Sequence, residues 1–392
     1  MISIDHAIRT IKKHTHVLAQ ETIKPIEKAN GYILSQTIYA PIDMPPFRQS
    51  AMDGYALHLH DALSYTLIGE VQAGDPKAFS LKKGEAVRIF TGAPVPDSAN
   101  AVIMQERVKV TRLKIEIEGD VNEGDNVRPL GEQIKAGEIA LQKGAQLNPA
   151  GIGYLLSLGI GHVSVYKKPS IAIVSTGNEL VEPGTELVHG KIYESNSKML
   201  LSALYSLKFY DVTIHRIKDD FAETRKSLKQ LISNNDMVII TGGISVGDYD
   251  FVGRALNELQ VETLFYKVNQ KPGKPLFYGK KEHTSIFALP GNPAAALTCF
   301  YLYVYIALSG MMNFTSNELP RITSKSLTEF EKKADRPQFL KARYYNGEVE
   351  ILDGQNSSML QSFALANALV FMPEDLKIIK VGDSVETIVL PV

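Results

Sequence analysis

Residues Thr241 to Asp250 read Thr-Gly-Gly-Ile-Ser-Val-Gly-Asp-Tyr-Asp and follow the apolar run Met237 to Ile240. The run has the length and the uninterrupted hydrophobicity of a buried strand. Behind it, Gly242, Gly243 and Gly247 leave backbone amides open to an anion, because no Cβ stands in the way. Thr241, Ser245 and Tyr249 add hydroxyl donors, and Asp248 and Asp250 bring acids to hold a metal or orient a reacting group. One glycine-rich turn is weak evidence alone. Placed at a strand end, it predicts an α/β domain that cradles a phosphate.

The surrounding sequence supports that reading. Ile171 to Val174 and Val212 to Arg216 read as strands. Ser197 to Leu207, Ala222 to Ser233 and Phe251 to Leu259 read as helices. Such alternation from Pro169 to about Gly310 predicts a doubly wound domain with a mostly parallel sheet. In that architecture ligands bind beyond the carboxyl ends of the strands.

Three further loops fall at such ends. Thr176 and Gly177 can contact a phosphate, with Glu179 at the mouth; a helix cap by Thr176 or Asn178 is an equal reading. Asp219 and Asp220 precede a helix, and capping explains them as they stand. In Pro290-Gly291-Asn292-Pro293 two prolines stiffen a turn, as suits a wall against a planar ring or ribose. Lys267, Lys271 and Lys274 lie in a segment broken by proline and glycine, unlike a solvated helix face. Beside the Thr241 loop they would draw a multiply charged anion.

Elsewhere the texture differs. Residues 1–40 look helical, and 138–168 carries a second helical pattern expected to pair with them. From 41 to 137 short strands alternate with Gly, Pro and Asp turns, the pattern of a small β domain. There Asp53, before Gly54, reads as a plain Asp-Gly turn, and Thr91, before Gly92, reads either as a turn or as a hydroxyl suited to an anion. The α/β domain is expected over 169–318, and a β-barrel-like domain over 319–392.

Bulk properties exclude several classes. With 392 residues the chain needs several cores. A formal net charge of −1 gives no footprint for nucleic acid. One cysteine, Cys299, rules out a disulfide framework and a cysteine-rich zinc site, and its apolar surroundings suggest a buried, unreactive thiol. Ala294 to Met312 approaches membrane-spanning length, but it opens on a Gly-Asn-Pro turn and reads better as a buried helix. No signal pattern opens the chain, so no membrane association and a cytoplasmic location are expected.

These stretches, with Ser50-Ala51-Met52-Asp53-Gly54-Tyr55-Ala56 and Thr91-Gly92-Ala93-Pro94-Val95-Pro96, resemble the molybdopterin molybdenumtransferase family in order from about Pro41 to the C-terminus. The resemblance implies a multidomain protein. A central α/β molybdopterin-binding domain is joined by two small β domains and an elongated, discontinuous N-terminal domain. It implies insertion of molybdenum from molybdate into adenylated molybdopterin with release of AMP, assisted by Mg²⁺ on Glu179, Asp219 and Asp250. Asp53, Glu179, Asp250, Lys267 and Lys271 are the implied catalytic residues, with Lys267 and Lys271 at molybdate-binding positions. Lys341 and Ser357 join the loops above as implied cofactor contacts. A homodimer is implied whose cleft lies between the α/β domain of one subunit and the β domain of the other. The molybdopterin adenylyltransferase is a candidate partner. Three departures stand out: Gln133 and Asn100 replace acids, and Lys341 replaces an arginine, with Arg343 nearby. A tungsten-specific homologue, a non-catalytic molybdopterin-binding scaffold and an adenylyltransferase remain alternative readings.

Overall fold

The computed structural model describes all residues except 76, 244–250, 315–317 and 334. The chain forms two compact units, Ile23–Val165 and Met1–Thr22 with Tyr166–Val392.

The larger unit is built on a six-stranded sheet. Ile171–Thr176 lies between Val212–Ile217 and Met237–Thr241, and Thr284–Leu289 follows Met237–Thr241, all in parallel. Phe277–Lys281 runs antiparallel to Thr284–Leu289 and to the edge strand Glu262–Tyr266, so it alone opposes the other five strands and the sheet is mostly parallel, as expected. Ile171–Thr176, Met237–Thr241 and Thr284–Leu289 are buried along their whole length. Continuous burial requires cover on both faces. On one face Leu228, Leu231 and Ile232 of helix Phe221–Asn234, with Val252, Ala255 and Leu256 of helix Phe251–Glu258, pack on Val174, Val238, Ile240 and Ile286. Helices Asn196–Ser206 and Pro293–Cys299 pack on each other and on strands Ile171–Thr176 and Thr284–Leu289, outside that cluster. The chain steps from Ile171–Thr176 outward to Val212–Ile217 and returns across it to Met237–Thr241. The reversal opens a crevice where Thr176 and Thr241 end their strands.

The Pro293–Met311 helix passes through a π turn at Phe300–Val304. It is long and apolar enough to cross a membrane, yet most of it is buried inside the protein, as its aromatic content and opening turn suggest. Helicity at the N-terminus is confined to Ile4–His14, whose Ile4, Ala7, Ile8 and Ile11 are buried within the larger unit, where the helix packs on Tyr305–Met311. The expected helical reading of 1–40 fails beyond it: the apolar spacing stops at Ile11, and the chain extends into strand Glu21–Pro25. Arg321–Ser326, Glu348–Ile351, Gln338–Tyr345, Ala368–Met372 and Ser384–Val389 close into a barrel around Leu340, Val349 and Val370.

In the smaller unit Ala101–Met104, Gly54–Leu57, Glu85–Ile89, Ser64–Val71, Lys114–Ile117 and Val108–Thr111 form one sheet in that order. Gly54 is no turn residue. It sits within a strand so close to its neighbour that a Cβ would lie 1.9 Å from the Ile103 carbonyl oxygen. Ile26, Leu34, Leu147, Leu155, Val163 and Val165 make a separate core beside the sheet.

Candidate active site

The crevice at the strand reversal is a cleft of about 620 Å³, within the range of small-molecule sites. Gly242 and Gly243 follow Thr241 with φ of 87° and 64°, a region side chains rarely adopt. A Cβ on Gly242 would lie 2.7 Å from the Thr176 carbonyl oxygen, and one on Gly243 2.6 Å from Thr176 Oγ1. Only glycines allow the two strand ends to meet. Thr176 is 5% exposed, and among the described residues its hydroxyl has no hydrogen-bond partner. A buried hydroxyl that lines a cleft and lacks a partner among the described residues is available to a ligand.

Glu179 and Asp219 bring two carboxylates to the same cleft. The Glu179 carboxyl lies over Gly177, where a Cβ would meet its Oε2 at 2.6 Å. No helix starts after Thr176, so the capping alternative for that loop is excluded; the chain enters the short strand Leu180–Val181 instead. The acids before the next helix divide their work. Asp220 caps Phe221–Asn234 by accepting from the Glu223 amide, whereas Asp219 accepts from the Asn178 amide at 3.0 Å and faces the cleft. Asn178 Oδ1 accepts in return from the Asp219 amide, locking the two strand ends together. Pro290, Asn292 and Pro293 also line the cleft. Ser245, Gly247 and Asp250 lie outside the described residues.

Two cleft residues escaped the sequence reading. The Asn196 side-chain amide donates to Thr241 Oγ1 at 2.8 Å and to the Gly291 carbonyl at 2.7 Å, tying three loops together. Glu194, 3% exposed, accepts from the Ser197 amide and hydroxyl at the start of the same helix. The polar run Glu194-Ser-Asn-Ser197 before a helix was their signal, but it is also the signal of any helix start.

The lysines sit apart from the cleft lining, which reaches only Pro275 beside Lys274. Lys267 has a φ of 69°, with its Nζ 4.8 Å from the Tyr266 ring centroid. Lys271 and Lys274 are exposed. Lys341 is 3% exposed and donates to the carbonyls of Gly354, Met359 and Asn356, at 2.6, 2.8 and 3.3 Å. Its three N–H groups thus hold the loop that carries Ser357, and burial brings its pKa down to about 8. Ser357 reaches the cleft wall: its hydroxyl accepts from Asn292 Nδ2 at 2.9 Å, and its carbonyl from the Ala295 amide. Arg343 pairs at the surface with Glu350.

In the smaller unit Asp53 Oδ1 accepts from both the amide and the hydroxyl of Thr91, each at 2.7 Å. The backbone bond, then the hydroxyl bond, holds the Asp53 pKa below its ordinary value. Gly92 turns the chain there with a φ of 81°. Asn100 has a structural task, its Oδ1 accepting from the Leu59 amide.

Among the described residues no group of three or more His, Cys, Asp or Glu is placed to hold a metal ion. Two carboxylates in one cleft nevertheless fit Mg²⁺, which takes one or two carboxylates and completes its shell with phosphate and water.

Comparison with known proteins covers almost the whole chain. Residues 2–159 match the model of the MoeA N-terminal region (domain I and II), 172–309 a probable molybdopterin-binding domain, and 323–390 the MoeA C-terminal region (domain IV). A molybdopterin molybdenumtransferase of Haemophilus influenzae is 32% identical over 98% of both chains. One from Staphylococcus epidermidis is 32% identical over 99% of this chain and 95% of its own. The crystal structure of a MoeA molybdopterin biosynthesis protein from Pyrococcus horikoshii superposes with a TM-score of 0.84 at 30% identity, over 99% of this chain and 100% of that one. The chain belongs to the MoeA family of molybdopterin molybdenumtransferases.

Proposed function

We propose that the cleft binds adenylated molybdopterin and that the protein inserts molybdenum from molybdate into its dithiolene, releasing AMP. The observation that carries this reading is the buried Thr176 hydroxyl, without a hydrogen-bond partner among the described residues, beside Gly242, Gly243 and two carboxylates. Open amides and a free hydroxyl suit phosphate oxygens. Acids alone would repel a polyanion, so a cation must stand between them. Glu179 and Asp219, with Asp250, would hold Mg²⁺, which neutralises charge as the phosphoanhydride breaks. Asn196 fixes the Thr241 and Gly291 loops before substrate arrives, so their orientation costs little at binding.

Lys267 and Lys271 are assigned to the incoming oxyanion, with Lys274 beside the phosphates. Ammonium groups there screen two anions that would otherwise repel. Asp53, kept ionised by Thr91, is a hydrogen-bond acceptor rather than an acid, and is assigned to a second subunit's cleft in a homodimer. The four-part division of the chain, the adenylyltransferase as partner and a cytoplasmic location belong to the same reading.

The test is incubation with adenylated molybdopterin. Molybdate should trigger AMP release, EDTA should stop it, and Mg²⁺ should restore it. Turnover undiminished in EDTA removes the metal from the proposal. Consumption of ATP instead indicates an adenylyltransferase, binding without release a scaffold, and a response to tungstate alone a tungsten enzyme.

A further inference from the structure

We propose that Gln270 and Tyr303 are positioning residues whose buried hydrogen bond sets the Lys271–Lys274 loop for its oxyanion. The inference rests on the assignment of Lys271 to that anion. Gln270, Cys299 and Tyr303 are each fully buried. The Gln270 side chain is used at both ends: its Oε1 accepts from the Tyr303 hydroxyl, and its Nε2 donates to the Pro272 carbonyl at 2.9 Å. Pro272 stands between the two lysines. Below the next residue, the Cys299 thiol lies 3.7 Å from the Gly273 carbonyl oxygen and 3.7 Å from Gln270 Nε2.

Fit is close enough to exclude a side chain. A Cβ on Gly273 would lie 2.4 Å from Cys299 Sγ and 2.8 Å from Gln270 Nε2. The flanks of the loop have their own main-chain anchors. Asn269 donates to the Ile2 carbonyl at 2.8 Å, and Lys271 to the Pro337 carbonyl at 2.9 Å. The two carbonyls between the lysines, those of Pro272 and Gly273, are met from below by the side chains of Gln270 and Cys299. Burying an amide requires that its hydrogen bonds be made, whereas an apolar side chain would fill the same space without that demand. An amide here therefore orients the Pro272 carbonyl as well as filling space. Tyr303 lies within the π turn Phe300–Val304, a local change of helical register of the kind that re-aims side chains at functional sites. Burial holds its phenol well above the ordinary pKa, so it stays a donor at working pH.

The experiment uses the full chain and compares Tyr303→Phe, Gln270→Met, Lys271→Ala, the Tyr303→Phe/Lys271→Ala double variant and Thr298→Val. Thr298 is a buried hydroxyl of the same helix that donates only to its own helix, at Ala294, and it controls for general loosening. Molybdate titration of AMP release is read beside direct binding of adenylated molybdopterin. Tyr303→Phe should raise the molybdate requirement about three- to tenfold while pterin affinity stays within about twofold. The double variant should need no more molybdate than Lys271→Ala, and Thr298→Val should match the parent. Gln270→Met gives the same reading should Tyr303→Phe fold poorly. A molybdate requirement unmoved by Tyr303→Phe and Gln270→Met, or raised as much in the Lys271→Ala background, overturns the inference. If Lys271→Ala itself has no effect, the oxyanion assignment fails. Amide hydrogen exchange over 270–274 then separates the two ideas: acceleration by Tyr303→Phe keeps the network as the loop's support, and unchanged exchange removes that as well.

Discussion

Replacing Asn196 by alanine tests whether the cleft is built before the substrate arrives. The side chain makes two hydrogen bonds, 2.8 Å to Thr241 Oγ1 and 2.7 Å to the Gly291 carbonyl, joining loops from two strand ends to the start of a helix. Each contributes about 1 kcal/mol net, so at most about 2 kcal/mol of preorganisation is lost, or roughly thirtyfold in affinity. Water can enter this open cleft and replace part of that, which leaves an expected loss of about tenfold. The assay is a direct titration with adenylated molybdopterin, with thermal melting as a check on folding. Because the bonds lie at the cleft and not in the core, the melting temperature should change little. An affinity within twofold of the parent in a folded variant would refute the reasoning, since the loops would then keep their places without the tie.

Other outcomes follow from single contacts. Followed by NMR, the Asp53 carboxyl should titrate below 3.8, and Thr91→Val should bring it part of the way back, because the larger backbone bond remains. Its pKa is depressed, so whatever Asp53 contributes is present at neutral pH and lost only as pH falls through that low value. Lys341, brought down to about 8 from 10.5, is neutral in the folded protein at a pH where the unfolded chain still binds a proton. The parent should therefore gain stability relative to Lys341→Met as pH rises through that window, measured by denaturant unfolding. Asp53→Ala and Glu179→Ala are each expected to be inactive; subunit exchange between them should recover activity, and inactive confirmed hybrids would argue for a site built within one chain.

The cleft lining was legible where residues stood at strand ends, although turn and cap readings of the same residues were open in the sequence. Gly242 and Gly243 had to be glycine for the strand ends to meet, and Asp219 and Glu179 stood at strand ends. The helices and strands over 171–259 were readable from periodicity, since each apolar face is buried. The hairpin of Phe277–Lys281 and Thr284–Leu289 was not, because strand direction leaves no mark on hydrophobic pattern. Asn196 was hidden for another reason: polar residues before a helix are the rule, and only the tertiary fold shows which of them reaches Gly291. Lys341 was named as a cofactor contact through the family resemblance alone, and nothing in its sequence surroundings marks a basic residue that meets three main-chain carbonyls.

The central claim is that metal insertion and phosphoanhydride cleavage are coupled in one cleft. Molybdenum in the isolated pterin product should be quantified against AMP released over the same turnovers. The account predicts about one molybdenum per AMP, with both falling together in Glu179→Ala. AMP released freely without molybdenum in the product, or molybdenum inserted while the adenylate stays intact, would contradict it.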